Sequence, residues 1–178
     1  SGFLFALITA SQYLKAGSYK RALVIGADQL SSYVDWSDRG SCILFGDGAG
    51  AIAIESSMDV NNLCGFIMRT DGDRGSFLNL PSKNEIGTLN DDLVFKKGDF
   101  STITMNGQEV YKFAIREVPI IIENLLKETK YSAKEIDWLL LHQANQRILD
   151  AVGERVKIAK SKVLSNLSNY GNTSAATI

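Results

Sequence analysis

Ala22-Leu23-Val24-Ile25-Gly26-Ala27 is a continuous apolar run, which is typical of a parallel β-strand that is covered on both faces. The residues before it, 3–16, are apolar nearly all round and end at Ala16-Gly17, which predicts a buried helix with a glycine C-cap. A helix followed directly by a buried strand indicates a layered α/β protein.

Further along the chain, apolar runs alternate with helical periodicity. We predict further strands at residues 42–45, 49–54, 64–70, 136–141 and 163–164. We predict helices that begin near Gly107, at the capping box Ser132-Ala133-Lys134-Glu135, after Asn145 and after Asn172. Pro119 should kink or split the first of these helices. The predicted order is α-β-loop-β-β followed by β-loop-α-α-β-α-β-α.

The composition excludes several classes of protein. The chain has 178 residues, of which 45% are hydrophobic and 22% charged, and its net charge is −1, so it is globular and lacks the basic excess of nonspecific nucleic-acid binding. One histidine and two cysteines cannot form a four-ligand zinc site or a disulfide framework, which favours a reducing compartment. No apolar run reaches the ~20 residues of a membrane span, and no signal peptide is recognisable.

Both ends of the chain fall within apolar stretches rather than polar tails, so we expect an internal piece of a longer protein. Residues 71–101 are rich in Gly, Asp, Asn, Ser and Lys, which is typical of a functional loop or a crossover between half-domains. A shift in composition predicts a domain boundary near residue 58.

Two polar residues follow predicted strands, at the edge where open α/β sheets place ligands. His142 follows Leu139-Leu140-Leu141, and Asn172 lies at a similar strand-to-helix position. Two such side chains can converge on one oxygen atom. A lone histidine is more often structural, and an asparagine after glycine is usually a turn or cap, so position alone leaves both interpretations open.

Five motifs carry a resemblance to a known family. They are Asp38-Arg39-Gly40, Phe45-Gly46-Asp47-Gly48-Ala49-Gly50-Ala51, Met105-Asn106-Gly107-Gln108-Glu109-Val110, His142-Gln143-Ala144-Asn145 and Gly171-Asn172-Thr173-Ser174-Ala175-Ala176. Together, in this order and over the whole chain, they resemble the condensing enzymes that begin fatty-acid synthesis, the β-ketoacyl-acyl-carrier-protein synthases III.

The resemblance implies an α/β fold of the thiolase-like type, with layered α-β-α-β-α architecture that is incomplete at both ends of this chain. Two similar halves make up that fold. Residues 1–58 would be the end of the N-terminal half, and residues 59–178 most of the C-terminal half.

The resemblance also implies a Cys-His-Asn catalytic set. Matching the motifs assigns the catalytic roles to His142 and Asn172, and it places the nucleophilic cysteine immediately before the residue that matches Ser1. Cys42 and Cys64 have no motif near them, so we expect both to be buried small hydrophobic residues.

The implied reaction is a decarboxylative Claisen condensation of acetyl-CoA, or another short acyl-CoA, with malonyl-acyl-carrier-protein. The cysteine thiolate takes the acyl group, and the malonyl group then loses CO₂ and attacks it. His142 and the Asn172 amide would stabilise the enolate as an oxyanion hole does, which requires a neutral histidine and fits a buried site. No cofactor or metal is implied, since the CoA thioester and the carrier's phosphopantetheine are substrates.

Further site residues follow from the same matching. Arg39, Asn145 and Gly107 match positions that bind CoA or pantetheine, and Lys112, Arg147 and Arg155 match a basic patch that docks the acidic carrier protein. Each has a plainer interpretation: an ion pair with Asp38 for Arg39, a helix cap for Asn145 and a solvated face for the basic residues. Gly46-Asp47-Gly48 lacks the Lys-Ser/Thr of a phosphate loop and is interpreted as a tight turn.

The implied partners are acyl carrier protein and acyl-CoA, with a homodimer formed through the strand near residues 22–27, and neither nucleic acid nor membrane. The implied location is the bacterial cytoplasm or the plastid stroma. Two alternatives remain open: a polyketide or secondary-metabolism starter-unit synthase, and a non-catalytic remnant of the same fold.

Overall fold

A computed structural model describes residues 2–57, 62–83 and 100–178 of the chain. Its α-helices are α1 (Gly2–Lys15), α2 (Gly107–Thr129), α3 (Gln146–Arg155) and α4 (Leu167–Tyr170), and its strands are β1 (Arg21–Asp28), β2 (Gly48–Glu55), β3 (Leu78–Asn79) and β4 (Thr104–Met105). Short 3₁₀ helices span Leu30–Tyr33, Gly72–Phe77, Ala133–Glu135, Lys160–Lys162 and Ser174–Thr177. The predicted boundary near residue 58 lies outside the described residues.

The main sheet is an antiparallel ladder in which β1 pairs with β2 along its whole length, from Arg21 opposite Glu55 to Asp28 opposite Gly48. One face of β1 is covered, since Val24 is 2% exposed, whereas Leu23 and Ile25 on the other face are 62% and 57% exposed. The prediction of a strand is confirmed. The prediction of a parallel strand with both faces covered is wrong for the described residues. β2 runs antiparallel to β1, and the face of β1 that carries Leu23 and Ile25 is exposed.

The last 3₁₀ helix, Ser174–Thr177, is called here the 174–177 helix. It packs against α1, β1 and β2, and the Ala175 backbone N–H donates to the Asp28 carboxylate at 2.8 Å. A separate apolar cluster of Leu139, Val156 and Ile158 joins the end of α3 to the segments before and after it. The C-terminal residues are thereby placed over the N-terminal sheet.

The helix signals in the sequence are largely confirmed. α1 ends as predicted, with Gly17 at φ +77°, and α3 begins at a cap in which the Asn145 side chain accepts from the Ile148 N–H at 3.0 Å. The Ser132 capping box forms, but it opens a 3₁₀ turn. Pro119 does not split α2, which runs unbroken through it.

Several predicted strands are wrong. Residues 42–45 form turns with a single bridge from Phe45 to Asn172, and residues 136–141 are reduced to one bridge from Leu139 to Val163. Residues 64–70 have no ladder partner among the described residues. An apolar run becomes a strand only where a neighbour supplies consecutive hydrogen bonds, and here the neighbours meet at single residues. No described helix is long and apolar enough to cross a membrane.

The prediction that both cysteines are buried is also wrong. Cys64 is exposed and Cys42 is half-buried. Cys64 lies in the segment that forms no strand, where its sulfur is 3.8 Å from the Tyr131 hydroxyl. Since this segment pairs with no strand among the described residues, no described sheet covers the thiol.

Candidate active site

Asn172 is held by backbone pairing with the segment before β2. Its N–H donates to the Leu44 carbonyl, and its carbonyl accepts from the Gly46 N–H, each at 2.9 Å. These two bonds form the parallel bridge between Asn172 and Phe45. The position of Asn172 is therefore fixed by main-chain atoms on both sides.

Two glycines make this pairing possible. Gly171 has φ +66°, a left-handed conformation that glycine adopts without strain. A β-carbon at Gly46 would overlap the Tyr170 carbonyl oxygen. The glycine-rich motif that begins at Gly46 thus allows the main chain to pack closely against the Asn172 segment. Residues 46–47 form no turn, so the interpretation of this motif as a tight turn is wrong.

The Asn172 side chain presents its amide nitrogen as a free donor. Its Oδ1 accepts from the Ser174 N–H at 3.0 Å. Because a backbone N–H can only donate, the oxygen must face Ser174 and the NH₂ group must point elsewhere. That NH₂ group has no hydrogen-bond partner among the described residues. Every fully buried side-chain nitrogen or oxygen atom in the described residues has a partner, so the unpaired NH₂ group is accessible to solvent. The 174–177 helix is capped at Thr173, one residue later than predicted.

His142 lies in the irregular segment between Leu139 and α3, and its ring has no hydrogen-bond partner among the described residues. His142 as a whole residue is exposed to solvent. Its imidazole ring is therefore desolvated by the protein atoms that crowd around it and not by full burial. That desolvation, with a smaller contribution from the positive charge of the chain's amino terminus, lowers the pKa of His142 to about 4. The ring is therefore neutral at pH 7, as the predicted role requires, although the site is more open than predicted.

The lowered pKa of His142 gives a testable pH dependence. An unfolded histidine has a pKa near 6.5, so between pH 6.5 and 4 the unfolded chain binds more protons and the free energy of unfolding falls as pH falls. This chain has one histidine, so a single imidazole Cε1–Hε1 NMR signal reports it. We expect a midpoint well below 6.5 in the folded chain and near 6.5 in urea. A folded midpoint at or above 6.5 would contradict the structure.

The segments that carry His142 and Asn172 meet through their neighbours. The backbone N–H of Gln143 donates to the Thr177 hydroxyl oxygen at 2.7 Å. Thr177 ends the 174–177 helix, which also contacts α1. The His142 segment, the Asn172 segment and α1 are thus brought together around one short helix.

The residues matched to CoA or pantetheine binding lie on three different elements, the start of α2, the cap of α3 and the turn that contains Arg39. Asn145 caps α3 through its oxygen, so the plainer interpretation as a helix cap is confirmed. Gly107 begins α2, and a β-carbon there would approach just one atom, the Met105 methyl, at 3.7 Å, so packing does not require glycine. Arg39 is exposed and has no ion pair among the described residues, because the Asp38 carboxylate accepts instead from the Gly40 N–H and the Ser41 hydroxyl.

The basic residues matched to carrier-protein docking lie on two packed helices. Lys112 is on α2 and Arg147 and Arg155 are on α3, and all three are exposed. Lys112 pairs with Glu109 at 2.8 Å, and Arg155 donates to the Ile115 carbonyl at 3.3 Å. Arg147 makes no ion pair within the part of the chain that the structure describes.

A metal centre finds no support in residues 2–57, 62–83 and 100–178, where no three His, Cys, Asp or Glu side chains are grouped. The cavity of about 440 Å³ beside α1, which includes Ile8, Phe66 and Met68, contains neither His142 nor Asn172. This cavity therefore does not mark the candidate site, which is identified by the geometry of its motif residues.

Comparison with known proteins gives matches to two family models. Residues 1–72 match 3-oxoacyl-acyl-carrier-protein (ACP) synthase III, and residues 126–178 match the C-terminal part of 3-oxoacyl-ACP synthase III. The chain belongs to the β-ketoacyl-acyl-carrier-protein synthase III family. The site motifs lie within these two matched regions, except for the motif at Met105–Val110.

Relatives of this synthase III chain match it from end to end. A β-ketoacyl-acyl-carrier-protein synthase III from Prochlorococcus marinus subsp. pastoris is 71% identical over 178 residues, which are 100% of this chain and 53% of that protein. The crystal structure of a 3-oxoacyl-acyl-carrier-protein synthase III from Aquifex aeolicus has a TM-score of 0.87 and 37% identity over 100% of this chain and 52% of that one. The fold is therefore α/β and thiolase-like, as predicted.

A third relative comes from another pathway. The priming β-ketosynthase of the R1128 polyketide biosynthetic pathway superposes with a TM-score of 0.83 and 26% identity over 99% of this chain and 51% of that one. This synthase III chain spans about half the length of the relatives that it matches.

Sequence reasoning missed three residues that shape the site. Gln143 and Thr177 join the His142 segment to the Asn172 segment, and the Asp28 carboxylate accepts a hydrogen bond from the backbone of Ala175. Gln143 lies between two motif residues, His142 and Asn145, and its position inside a predicted site was the signal that could have drawn attention to it. Nothing local to Thr177 or Asp28 indicates a contact with residues so distant in sequence.

Proposed function

We propose that this chain forms part of an enzyme that begins fatty-acid synthesis by condensing a short acyl-CoA with malonyl-acyl-carrier-protein. The observation that carries the proposal is the pairing of a neutral His142 with an Asn172 amide whose NH₂ group is free, on two segments joined through Gln143 and Thr177. Such donors suit a thioester oxygen that gains negative charge.

The first half-reaction transfers the acyl group. In the proposal, a cysteine immediately before Ser1 lies at the N-terminal end of α1, where unpaired backbone N–H groups favour a thiolate. Its sulfur attacks the acyl-CoA carbonyl carbon, the carbon–sulfur bond to CoA breaks, and the CoA thiolate leaves. Contact of α1 with the 174–177 helix, which follows Asn172, supports this placement.

The second half-reaction forms the carbon–carbon bond. The bond between the malonyl methylene and its carboxylate breaks, CO₂ leaves, and the electron pair forms an enolate on the thioester. Hydrogen bonds from neutral His142 and from the Asn172 Nδ2 stabilise the enolate oxygen. The enolate carbon then attacks the acyl-enzyme carbonyl and expels the cysteine thiolate, which gives 3-oxoacyl-acyl-carrier-protein.

Substrate binding in the proposal uses the residues matched by motif. Arg39, with no ion pair to occupy its guanidinium, stacks on the CoA adenine, while the free Asn145 amide and the open space at Gly107 accommodate pantetheine. Arg147 supplies the unpaired charge of the patch that meets the carrier protein, with Lys112 and Arg155 beside it. The reaction needs no added cofactor or metal.

The remaining elements of the proposal concern organisation. Residues 1–58 would complete one thiolase-like half and residues 59–178 most of the other, within a homodimer located in the cytoplasm.

A polyketide-priming role is the second candidate function, and the structural similarity to the R1128 enzyme is the observation in its favour. Its 26% identity against 71% for the Prochlorococcus synthase supports fatty-acid initiation over polyketide priming.

The proposal is tested on this chain lengthened from its own gene at both ends to the length of its relatives, here called the extended protein. After incubation with acetyl-CoA, we expect intact mass spectrometry to find one acetyl group on the extended protein and none on the 178-residue chain. Replacing the cysteine before Ser1 with alanine should abolish the label.

Two outcomes would contradict the proposal. Acetylation of Cys42 or Cys64 in the 178-residue chain would place the nucleophile elsewhere. A residue other than cysteine before Ser1, such as alanine, glycine or glutamine, would favour a non-catalytic remnant of the fold.

A further inference from the structure

Gln143 is a buried glutamine for which the proposed mechanism has no role. It is 1% exposed and one of the largest fully buried side chains among the described residues. A buried amide is stable only when its polar groups are paired. Its pairing therefore indicates what the residue holds in place.

Both polar atoms of the Gln143 side chain and its backbone N–H are hydrogen-bonded. The side-chain Nε2 donates to the carbonyl oxygens of Leu141 at 2.9 Å and Leu164 at 3.2 Å, and Oε1 accepts from the Asn166 N–H at 3.0 Å. The backbone N–H donates to the Thr177 hydroxyl at 2.7 Å. Two carbonyls and one N–H as partners fix the orientation of the amide without ambiguity.

These partners belong to the two segments that carry the candidate catalytic side chains. Leu141 directly precedes His142. Leu164 and Asn166 lead into α4 and on to Asn172, while Thr177 ends the 174–177 helix that follows it. Gln143 thus touches the Asn172 segment both before and after Asn172.

We propose that Gln143 is a positioning residue that sets the separation of His142 and Asn172 so that both donors reach the same thioester oxygen. This inference rests on the proposed function. Among the described residues, no hydrogen bond joins the side chains of the two donors, so their spacing depends on what joins the segments that carry them. A misplacement of about 1 Å in such a site costs roughly 10²-fold in rate.

The test compares variants of the extended protein in malonyl-thioester decarboxylation. Thr177→Val removes the acceptor of the Gln143 N–H at nearly constant shape, whereas Thr177→Ser keeps it. Gln143→Met removes the side-chain bonds at similar volume. Gln29→Met is the matched control, since Gln29 is an exposed glutamine whose side chain makes no hydrogen bond among the described residues.

We expect kcat to fall about 10²-fold in Gln143→Met and at least about tenfold in Thr177→Val, with KM nearly unchanged, because positioning and not binding is lost. Thr177→Ser and Gln29→Met should keep wild-type kcat. Thr177→Val with wild-type kcat, or an equal loss in Gln29→Met, would overturn the inference. If Gln143→Met does not fold, the comparison of Thr177→Val with Thr177→Ser decides.

A second readout separates this inference from the proposed function. The single His142 imidazole signal of the 178-residue chain, recorded at pH 8, should shift or broaden in Thr177→Val and stay unchanged in Thr177→Ser and Gln29→Met. An unchanged signal in Thr177→Val would overturn the inference. Absence of decarboxylation in the wild-type extended protein would reject the proposed function alone, since the NMR comparison needs no activity.

Discussion

We expect Asn172→Asp to lower the rate of malonyl-thioester decarboxylation by the extended protein about 10²- to 10³-fold, the usual effect of losing one oxyanion donor. The carboxylate keeps the acceptor for the Ser174 N–H, so the local turn persists. What is lost is the NH₂ donor, and a negative charge now faces the developing enolate. Release of CO₂ from malonyl-acyl-carrier-protein measures the rate.

The matched control for this variant is Asn169→Asp. Asn169 is exposed in α4, three residues before Asn172, and its side chain makes no hydrogen bond among the described residues. We expect Asn169→Asp to decarboxylate at the wild-type rate and Asn172→Asp to retain acetylation by acetyl-CoA. Equal decarboxylation by Asn172→Asp and the wild type would remove Asn172 from the mechanism.

The second large effect concerns stability. Gly26→Ala places a methyl group on the Ala175 carbonyl oxygen, so either β1 or the 174–177 helix must move. Overpacking of this kind costs about 3 kcal/mol or more where backbone must shift. At ~2–4 °C per kcal/mol for a chain of this size, thermal unfolding followed by circular dichroism should give a Tm lower by roughly 6–12 °C.

Gly50→Ala controls for the change of residue type. Gly50 lies directly opposite Gly26 in the ladder, and a β-carbon there meets no atom within 4 Å. Its Tm should stay close to that of the wild type. If the two variants lost equal stability, contact between β1 and the 174–177 helix would not be the cause.

The sequence predicted those elements whose signals are local. Gly17 ends α1 and Asn145 begins α3 through bonds within a few residues, so their positions could be inferred from short motifs. The strand at 136–141 failed because a strand depends on a distant neighbour, and here that neighbour supplies one bridge, at Val163. Apolar character alone says nothing about such a partner.

The candidate site likewise combines residues that local motifs indicate with contacts that depend on residues distant in sequence. His142 and Asn172 were found because they lie within motifs, and the structure adds what the motifs leave out, namely the lowered pKa of His142 and the free NH₂ of Asn172. The tethers to Thr177 and Asp28 join residues far apart in sequence. No periodicity or cap could have indicated them.

The bond between Asp28 and Ala175 has a consequence for folding. It closes a loop of 147 residues, and such distant contacts form slowly because the chain entropy must be lost first. α2 and α3 rest on nearer contacts, so they can form before the ends of the chain meet. We therefore expect the geometry of the candidate site to be among the last features to appear during folding and among the first to be lost when the protein opens locally.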